Sequence, residues 1–217
     1  MLKRFVDRVA TKLRKKRFEV FEEFILASNK PLRILDVGGT ASFWETMDFF
    51  EEEEIEIELL NIDGYNLVGN NPKFRGVIGD ARDMSRYSEK EFDIVFSNSV
   101  IEHVGNFENQ RKMANEIMRV GKRFFVQTPN RHFPIEPHTW LPFGQFLPLW
   151  AKIWLASHFN LGNYKKTKDV QAILNEIDFL RLLSKSELLE LFPNANLWEE
   201  KFLGLTKSFV VYGESVS

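Results

Sequence analysis

Short hydrophobic segments of strand length alternate along this chain with segments of helical or mixed pattern. The segments with strand character are Arg33–Val37, Ile55–Ile62, Phe74–Ile78, Phe92–Phe96 and Arg123–Val126. Helical patterns follow the first and the fourth of them, at Ala41–Phe50 and Phe107–Val120. Connections of this kind are long enough for a crossover between parallel strands. The sequence therefore predicts an α/β fold with a mainly parallel sheet.

The C-terminal part of the chain has a different pattern. After a long irregular region, a helix is expected to begin near Ser184–Ser186, and two strands follow at Glu200–Leu203 and Ser208–Tyr212. The gap between these two strands is short and contains Gly204. A gap of this length favours an antiparallel hairpin over another crossover.

The predicted organisation is a single domain over residues 1–217, because no internal repeat or low-complexity linker divides the sequence. Residues 1–29 are expected to form a basic helical cover. Residues 130–180 are expected to form an insertion or lid on the side where a substrate would bind.

The composition excludes several classes of function. The formal net charge is −2, whereas a general nucleic-acid binder would be basic, so no nucleic-acid partner is expected. The chain has no cysteine, which excludes disulfides, thiolate metal sites and a cysteine nucleophile. The absence of cysteine also suits a reducing compartment, and we expect a cytoplasmic protein.

Neither of the two longest apolar regions has the pattern of a membrane-spanning helix or a signal peptide. The N-terminal one is interrupted by basic and acidic residues, and Trp140–Leu161 contains Pro142, Pro148 and Lys152. The aromatic residues of Trp140–Phe159 nevertheless exceed one helical face. A peripheral membrane contact or an apolar substrate channel is one interpretation, and ordinary core packing is the other.

Polar residues and glycines follow four successive strands of the predicted sheet. They are Asp36, Gly38, Gly39 and Thr40 after the first strand, Asp63 and Gly64 after the second, Asp80 and Ala81 after the third, and Asn98 after the fourth. In open α/β sheets, ligands bind beyond the carboxyl ends of the strands. The glycines permit a tight turn and a close approach of the backbone, and a carboxylate accepts hydrogen bonds from both hydroxyls of a ribose. This chemistry favours a nucleoside with a cationic tail over a pyrophosphate.

The same segments resemble a known family. Ile34–Thr40, Asn61–Gly64, Gly79–Ala81, Phe92–Asn98, Val100–Val104 and Leu203–Tyr212 are similar, in order, to the motifs of class I S-adenosylmethionine-dependent methyltransferases of the small-molecule (type 11/12-like) branch. The resemblance implies a Rossmann-like, doubly wound sheet of seven strands with the last strand antiparallel.

The resemblance also implies S-adenosylmethionine as the cofactor. The loop of Gly38 would hold its methionine part, Asp63 the ribose, and Asp80 with Ala81 the adenine, while Asn98 would lie near the transferable methyl group. The loop departs from the family pattern of alternate glycines, since Thr40 and Ser42 stand at two of those positions.

Three residues are candidates for a catalytic base: His103, His138 and Glu136. Histidine titrates near neutral pH, so either histidine suits the removal of a proton from an attacking hydroxyl. Packing of His103 to fix its loop is the competing interpretation. No metal is expected, because the ligand types in Asn130–His138 are separated by two prolines and match no zinc spacing.

The predicted function is transfer of a methyl group to a small-molecule or lipid-like acceptor by in-line displacement. One alternative is a non-catalytic scaffold that binds a nucleoside on the same fold. Another is a dinucleotide-dependent oxidoreductase, although Gly-x-Gly-x-x-Gly is absent after the first strand. A local ion pair with Arg82 is an alternative role for Asp80. The oligomeric state is not predicted.

Overall fold

The computed structural model describes residues 2–26, 31–47, 54–64 and 73–215, with the side chains from residue 11 onwards. Six α-helices lie in these ranges: α1 (Leu2–Ile25), α2 (Ala41–Thr46), α3 (Phe107–Val120), α4 (Leu149–His158), α5 (Val170–Phe179) and α6 (Lys185–Leu191). The strands are β1 (Leu32–Val37), β2 (Ile55–Asn61), β3 (Phe74–Ile78), β4 (Phe92–Asn98), β5 (Gly121–Pro129), β6 (Asn196–Phe202) and β7 (Leu205–Glu214). The expected continuation of α2 to Phe50 lies partly outside the described residues.

The seven strands form one sheet in the order β3-β2-β1-β4-β5-β7-β6. Strand β1 pairs with β2 and β4 in parallel, and β2 pairs with β3 in parallel. Strands β6 and β7 are antiparallel and joined by a tight turn. The predicted seven-stranded, mostly parallel Rossmann-like sheet is therefore confirmed. Its strand order reverses at β1 and β4, which is where doubly wound sheets bind their ligands.

The chain divides into two compact units. The first comprises residues 1–97, 117–125 and 214–217, and the second comprises residues 98–116 and 126–213. Described side chains of α1 contribute to the core of the first unit: the ring of Phe21 lies 4.9 Å from Phe96, 5.2 Å from Phe125 and 5.8 Å from Trp44. Phe18, Phe21 and Ile25 of this helix are buried, so these aromatic contacts account for the packing of its C-terminal half.

The second unit contains two helices, α4 and α5, in the region that the sequence pattern left irregular. Asp169 caps α5 by accepting hydrogen bonds from Gln171 N and Ala172 N. Helix α6 begins with a capping box between Ser184 and Glu187, at the predicted position. Among the helices of the described ranges, none is long and apolar enough to cross a membrane.

Candidate active site

The carboxylate of Asp36 is buried near the end of β1. Its Oδ2 accepts a hydrogen bond of 2.6 Å from Trp44 Nε1, and its Oδ1 has no hydrogen-bond partner among the described residues. Burial raises the pKa of Asp36 to about 7, and the bond from Trp44 offsets part of this effect. A cation bound nearby would lower the pKa of this carboxyl group and so favour its ionised form.

A glycine turn follows Asp36. Gly38 has a φ of +78°, which favours glycine, and its N–H donates to Leu60 O over 2.7 Å. A β-carbon on Gly39 would lie only 1.6 Å from Asp36 Oδ2, so glycine is required there by space. Thr40 then caps α2 through its side chain. The turn thus brings the backbone close to the buried carboxylate.

The residues after β2 are more open. Asp63 and Gly64 are exposed, and Asn61 Nδ2 donates to Gly39 O over 3.3 Å, which joins the end of β2 to the glycine turn. A β-carbon on Gly64 would make an ordinary contact of 3.5 Å with Ile78. Glycine is therefore not required by space at residue 64.

Asp80 is engaged by its neighbour Arg82. The guanidinium donates from Nε and Nη2 to both carboxylate oxygens over 2.6–3.0 Å, and the backbone N–H of Arg82 adds a bond of 2.8 Å. These hydrogen bonds lower the pKa of Asp80, and the side-chain bond from Arg82 has the largest effect. Partial burial acts in the opposite direction. The ion pair between Asp80 and Arg82, an alternative role that the sequence offered for Asp80, is present. Ala81, which stands between these two residues in the sequence, is half-buried.

The end of β4 begins the second unit. Asn98 is half-buried, and the next residue, Ser99, has a φ of +58°, an unusual conformation for a residue with a side chain. Ser99 N donates to Gln127 O over 3.0 Å, and its Oγ donates to Gln127 Oε1 over 2.8 Å. Strain of this kind clusters at functional sites. The sequence pattern contained no signal for it.

The three candidate catalytic residues lie together in the second unit. His103 ends a short 3-10 helix after β4, whereas Glu136 and His138 belong to the loop after β5. His138 Nδ1 lies 2.7 Å from Glu136 Oε1, and His138 Nε2 lies 3.2 Å from His103 Nε2. Residues that the sequence offered as separate alternatives therefore form one hydrogen-bonded chain.

Glu136 is fixed as an ionised acceptor. Its Oε2 accepts bonds of 2.6 Å from both the N–H and the hydroxyl of Thr139. Although burial raises the pKa of Glu136, its bonds from His138 and Thr139 outweigh this and lower the pKa to about 2. The buried carboxylate therefore stays negative over the whole physiological range.

The charge on Glu136 decides how protons are placed on the two histidines. A negative Glu136 accepts from His138 Nδ1–H, so in neutral His138 the Nε2 atom is an acceptor. The 3.2 Å contact then assigns a proton to His103 Nε2 and leaves His103 Nδ1 with its lone pair. In the described chain, nothing hydrogen-bonds to His103 Nδ1. This nitrogen is free to accept a proton.

The pKa of His103 is lowered to about 4, first by loss of surrounding water and then by the neighbouring His138, with Glu136 opposing. Part of the residue remains exposed. On its own, His103 would be a weak base at neutral pH, so its contact with His138 matters to any catalytic use.

Comparisons with known proteins find similarity in family and fold. Residues 46–123 match the type 11 family model described as "Methyltransferase domain". Two uncharacterised proteins of Mycobacterium tuberculosis, Rv1509 and MT1557, are 36% identical over 55 residues, which are 25% of this chain and 19% of each relative. The chain thus spans about a fifth of the length of the curated relatives that it matches.

Solved structures show the same fold at low sequence identity. The N-terminal domain of EvdMO1 with SAH bound has a TM-score of 0.58 at 15% identity, over 94% of this chain and 81% of that one. A methyltransferase of Methanosarcina mazei has a TM-score of 0.55 at 13% identity, over 87% of this chain and 94% of that one. A methyltransferase of Aquifex aeolicus has a TM-score of 0.51 at 13% identity, over 92% of this chain and 89% of that one.

Residues 46–123 of this chain are thus similar to a type 11 methyltransferase domain, and the solved structures share its fold. This similarity supports S-adenosylmethionine, the cofactor expected from the sequence.

The first unit of the chain fits S-adenosylmethionine. The unpartnered Oδ1 of buried Asp36 offers an acceptor for an ammonium group or a bridging water, and the turn at Gly38 and Gly39 leaves no side chain in the way. Asp63 is exposed, and its carboxylate is of the type that accepts hydrogen bonds from hydroxyl groups. The Asp80 carboxylate suits the adenine amine less well, because Arg82 already occupies both of its oxygens.

The second unit of the chain contains a group of residues of the types that bind metal ions. Glu102, His103 and His138 each offer one ligand atom, and these atoms lie within 4.8 Å of one another. Glu102 is buried and accepts a 3.0 Å bond from Thr128 Oγ1. This set differs from the possible ligands within Asn130–His138 that were considered in the sequence, because Glu102 and His103 come from the turn after β4. The expectation of no metal stays a prediction.

Proposed function

We propose that the methyltransferase methylates an oxygen of a small-molecule or lipid-like acceptor, and that His103, His138 and Glu136 remove the proton of the attacking hydroxyl. The observation that carries this proposal is the continuous contact from Glu136 through His138 to His103, with distances of 2.7 Å and 3.2 Å. A base is needed for an oxygen nucleophile, and general base catalysis contributes about 10²–10⁴-fold.

The cofactor is assigned to Asp36, Gly38, Gly39, Thr40 and Asp63 of the first unit. When bound, S-adenosylmethionine supplies a methyl group on a positively charged sulfur, and displacement by the acceptor oxygen leaves a neutral thioether. Since this methyl is already activated, the protein's main contributions are alignment, exclusion of water and removal of one proton.

Proton removal follows from the assigned tautomers. As the acceptor oxygen forms its bond to carbon, its proton passes to His103 Nδ1. The proton on His103 Nε2 moves to His138 Nε2, so the positive charge comes to rest on His138. There the ionised Glu136 stabilises the imidazolium through the 2.7 Å contact. This relay explains how a histidine with a pKa near 4 works as a base: it need not keep the proton.

A lipid-like acceptor is supported by the surface of the insertion. The side chains of Phe143, Trp150 and Trp154 are 57%, 73% and 53% exposed, which is unusual for large apolar groups in water. Tryptophan is enriched at membrane–water interfaces. The net charge of −2 gives no support to a nucleic-acid acceptor.

The decisive experiment measures transfer of labelled methyl from S-adenosylmethionine to the small-molecule and lipid fractions of a cell extract. We expect Glu136→Gln and His103→Gln to lower the rate by about 10²-fold or more. His132→Gln is the matched control, because His132 is exposed and takes no part in the hydrogen-bonded chain. Calorimetry with S-adenosylhomocysteine should give the same affinity in all four proteins.

Several outcomes would contradict the proposal. Wild-type rates in the Glu136 and His103 variants would remove the relay. Cofactor binding without transfer to any fraction would favour a non-catalytic scaffold, and thermal stabilisation by NADH in place of S-adenosylhomocysteine would favour an oxidoreductase. Loss of transfer with a chelator and recovery with zinc would turn the two histidines into metal ligands.

A further inference from the structure

The second unit contains a cavity to whose lining the proposed relay contributes Glu136. Its volume is about 450 Å³, within the range of small-molecule sites, and residues 131–182 line it. Much of the wall is aliphatic: Leu141, Leu161, Ile173, Ile177, Leu180 and Leu182. An apolar body of moderate size would fit this wall.

Two lysines of this lining, the half-buried Lys152 on α4 and the exposed Lys165, have no carboxylate at ion-pair distance within the described ranges. Lys152 is the one that is partly removed from water. Its Nζ donates to Gln145 O over 3.3 Å, and its half-burial lowers its pKa, with Glu136 opposing. The two arginines of the lining differ, because Arg131 and Arg181 both pair with Glu187. A partly desolvated amine that has no carboxylate at ion-pair distance favours an anion beside it.

Two more polar groups face the same space. Gln145 Nε2 donates to Arg131 O and Phe133 O, each over 2.8 Å, which fixes the orientation of the amide. Its Oε1 is buried and has no hydrogen-bond partner in the described chain. Tyr164 keeps its hydroxyl proton, because burial, followed by Glu176 and Glu136, raises its pKa to about 12. The lining therefore offers an ammonium, a phenol donor and an orphaned acceptor.

We propose that this cavity binds an apolar carboxylic acid that carries a hydroxyl group near its carboxylate. Lys152 and Tyr164 donate to the carboxylate, the hydroxyl donates to Gln145 Oε1, and the aliphatic wall holds the chain. A carboxylate fits better than a phosphate monoester, because the carboxylates of Glu136 and Glu176 in the same lining oppose a second negative charge. The inference goes beyond the proposed function, since it does not require that the bound acid be the methyl acceptor.

The test is calorimetry of the intact protein with decanoate, 3-hydroxydecanoate, decanol and decyl phosphate. We expect decanoate to bind at least tenfold more tightly than decanol, and 3-hydroxydecanoate to bind more tightly still. In the series hexanoate, octanoate and decanoate, each added methylene should strengthen binding about fourfold until the cavity is full.

Lys152→Met keeps the aliphatic stem and removes the charge, so decanoate should lose at least tenfold in affinity while decanol is unaffected. Lys166→Met is the matched control, because Lys166 is exposed and does not line the cavity. Ala156→Phe places a ring in the cavity and should abolish binding of every probe.

Equal affinity for decanoate and decanol, or no loss in Lys152→Met, would overturn the carboxylate assignment. Tighter binding of decyl phosphate than of decanoate would do the same. Binding that survives Ala156→Phe would place the ligand elsewhere. None of these results depends on methyl transfer, so the relay is judged separately.

Discussion

Replacing Asp36 by asparagine is expected to stabilise the ligand-free protein and to weaken its binding of S-adenosylmethionine. Asp36 is buried, has one hydrogen-bond donor and has a pKa raised to about 7 by burial. Asparagine keeps the shape of the side chain and an oxygen that accepts from Trp44 Nε1. The substitution removes only the ability to become negative.

The magnitude follows from the shift of the pKa from 3.8 to about 7. Each pKa unit corresponds to about 1.36 kcal/mol, so ionised Asp36 costs the folded protein about 4 kcal/mol. Below pH 3.8 the group is protonated in both states and costs nothing. As the pH rises, the unfolded chain loses this proton first, so stability falls until about pH 7 and the cost is constant above it.

The assay is thermal unfolding of the ligand-free protein between pH 4 and pH 8. We expect Asp36→Asn to match the wild type at pH 4 and to melt on the order of 10 °C higher at pH 8. Calorimetry at pH 8 should show weaker binding of S-adenosylhomocysteine, because the variant offers no charge to its ammonium group.

Asp93→Asn is the matched control, for which the opposite change in stability is expected. Partial burial raises the pKa of Asp93, but bonds of 2.8 Å from Lys122 Nζ and 2.9 Å from Arg33 N outweigh it, and the pKa is lowered. This variant should lose stability at pH 8. If Asp36→Asn also lost stability at pH 8, or bound the cofactor product as tightly as the wild type, the reasoning about Asp36 would be refuted.

Three further outcomes are expected. Gly39→Ala should lose about 1–3 kcal/mol in urea unfolding, because its β-carbon would overlap Asp36, whereas Gly64→Ala should change stability by less than about 0.5 kcal/mol. Glu136, whose pKa is lowered to about 2, stabilises the fold above pH 4.5 and loses this effect as the pH falls towards 2, so Glu136→Gln should flatten the acid limb of the unfolding curve. Vesicle flotation should recover the wild type with anionic lipid and recover Trp150→Ala severalfold less, and equal recovery would argue against a lipid contact.

The sheet could be predicted because its signal is local. Strand β3 and helix α3 lie where the pattern put them, at Phe74–Ile78 and Phe107–Val120. Helix α4 was missed because its apolar residues surround the axis, so it lacks the 3.6-residue period that marks an amphipathic helix. Helix α5 had a readable signal, since Asp169 is a favourable N-cap just before Val170.

The sequence could indicate which residues belong to the candidate site, but not how these residues are arranged relative to one another. His103 and His138 are 35 positions apart, and their hydrogen bond arises from two irregular segments whose path no periodicity encodes. The bond between Asp80 and Arg82 was readable, because the two residues are neighbours in a turn. The left-handed backbone of Ser99 was not, since serine is not a residue type that favours it.

Two buried acids of the protein have pKa values displaced in opposite directions, and the number of hydrogen-bond donors around each explains why. Asp36 receives one bond, so desolvation dominates and its pKa rises to about 7. Glu136 receives bonds from His138 and Thr139, which outweigh the same desolvation and lower its pKa to about 2. Groups driven apart in this way take different roles. Glu136 provides a permanent negative charge for the imidazolium of His138, whereas Asp36 becomes negative when a cation arrives, so binding of the cofactor should release protons near neutral pH.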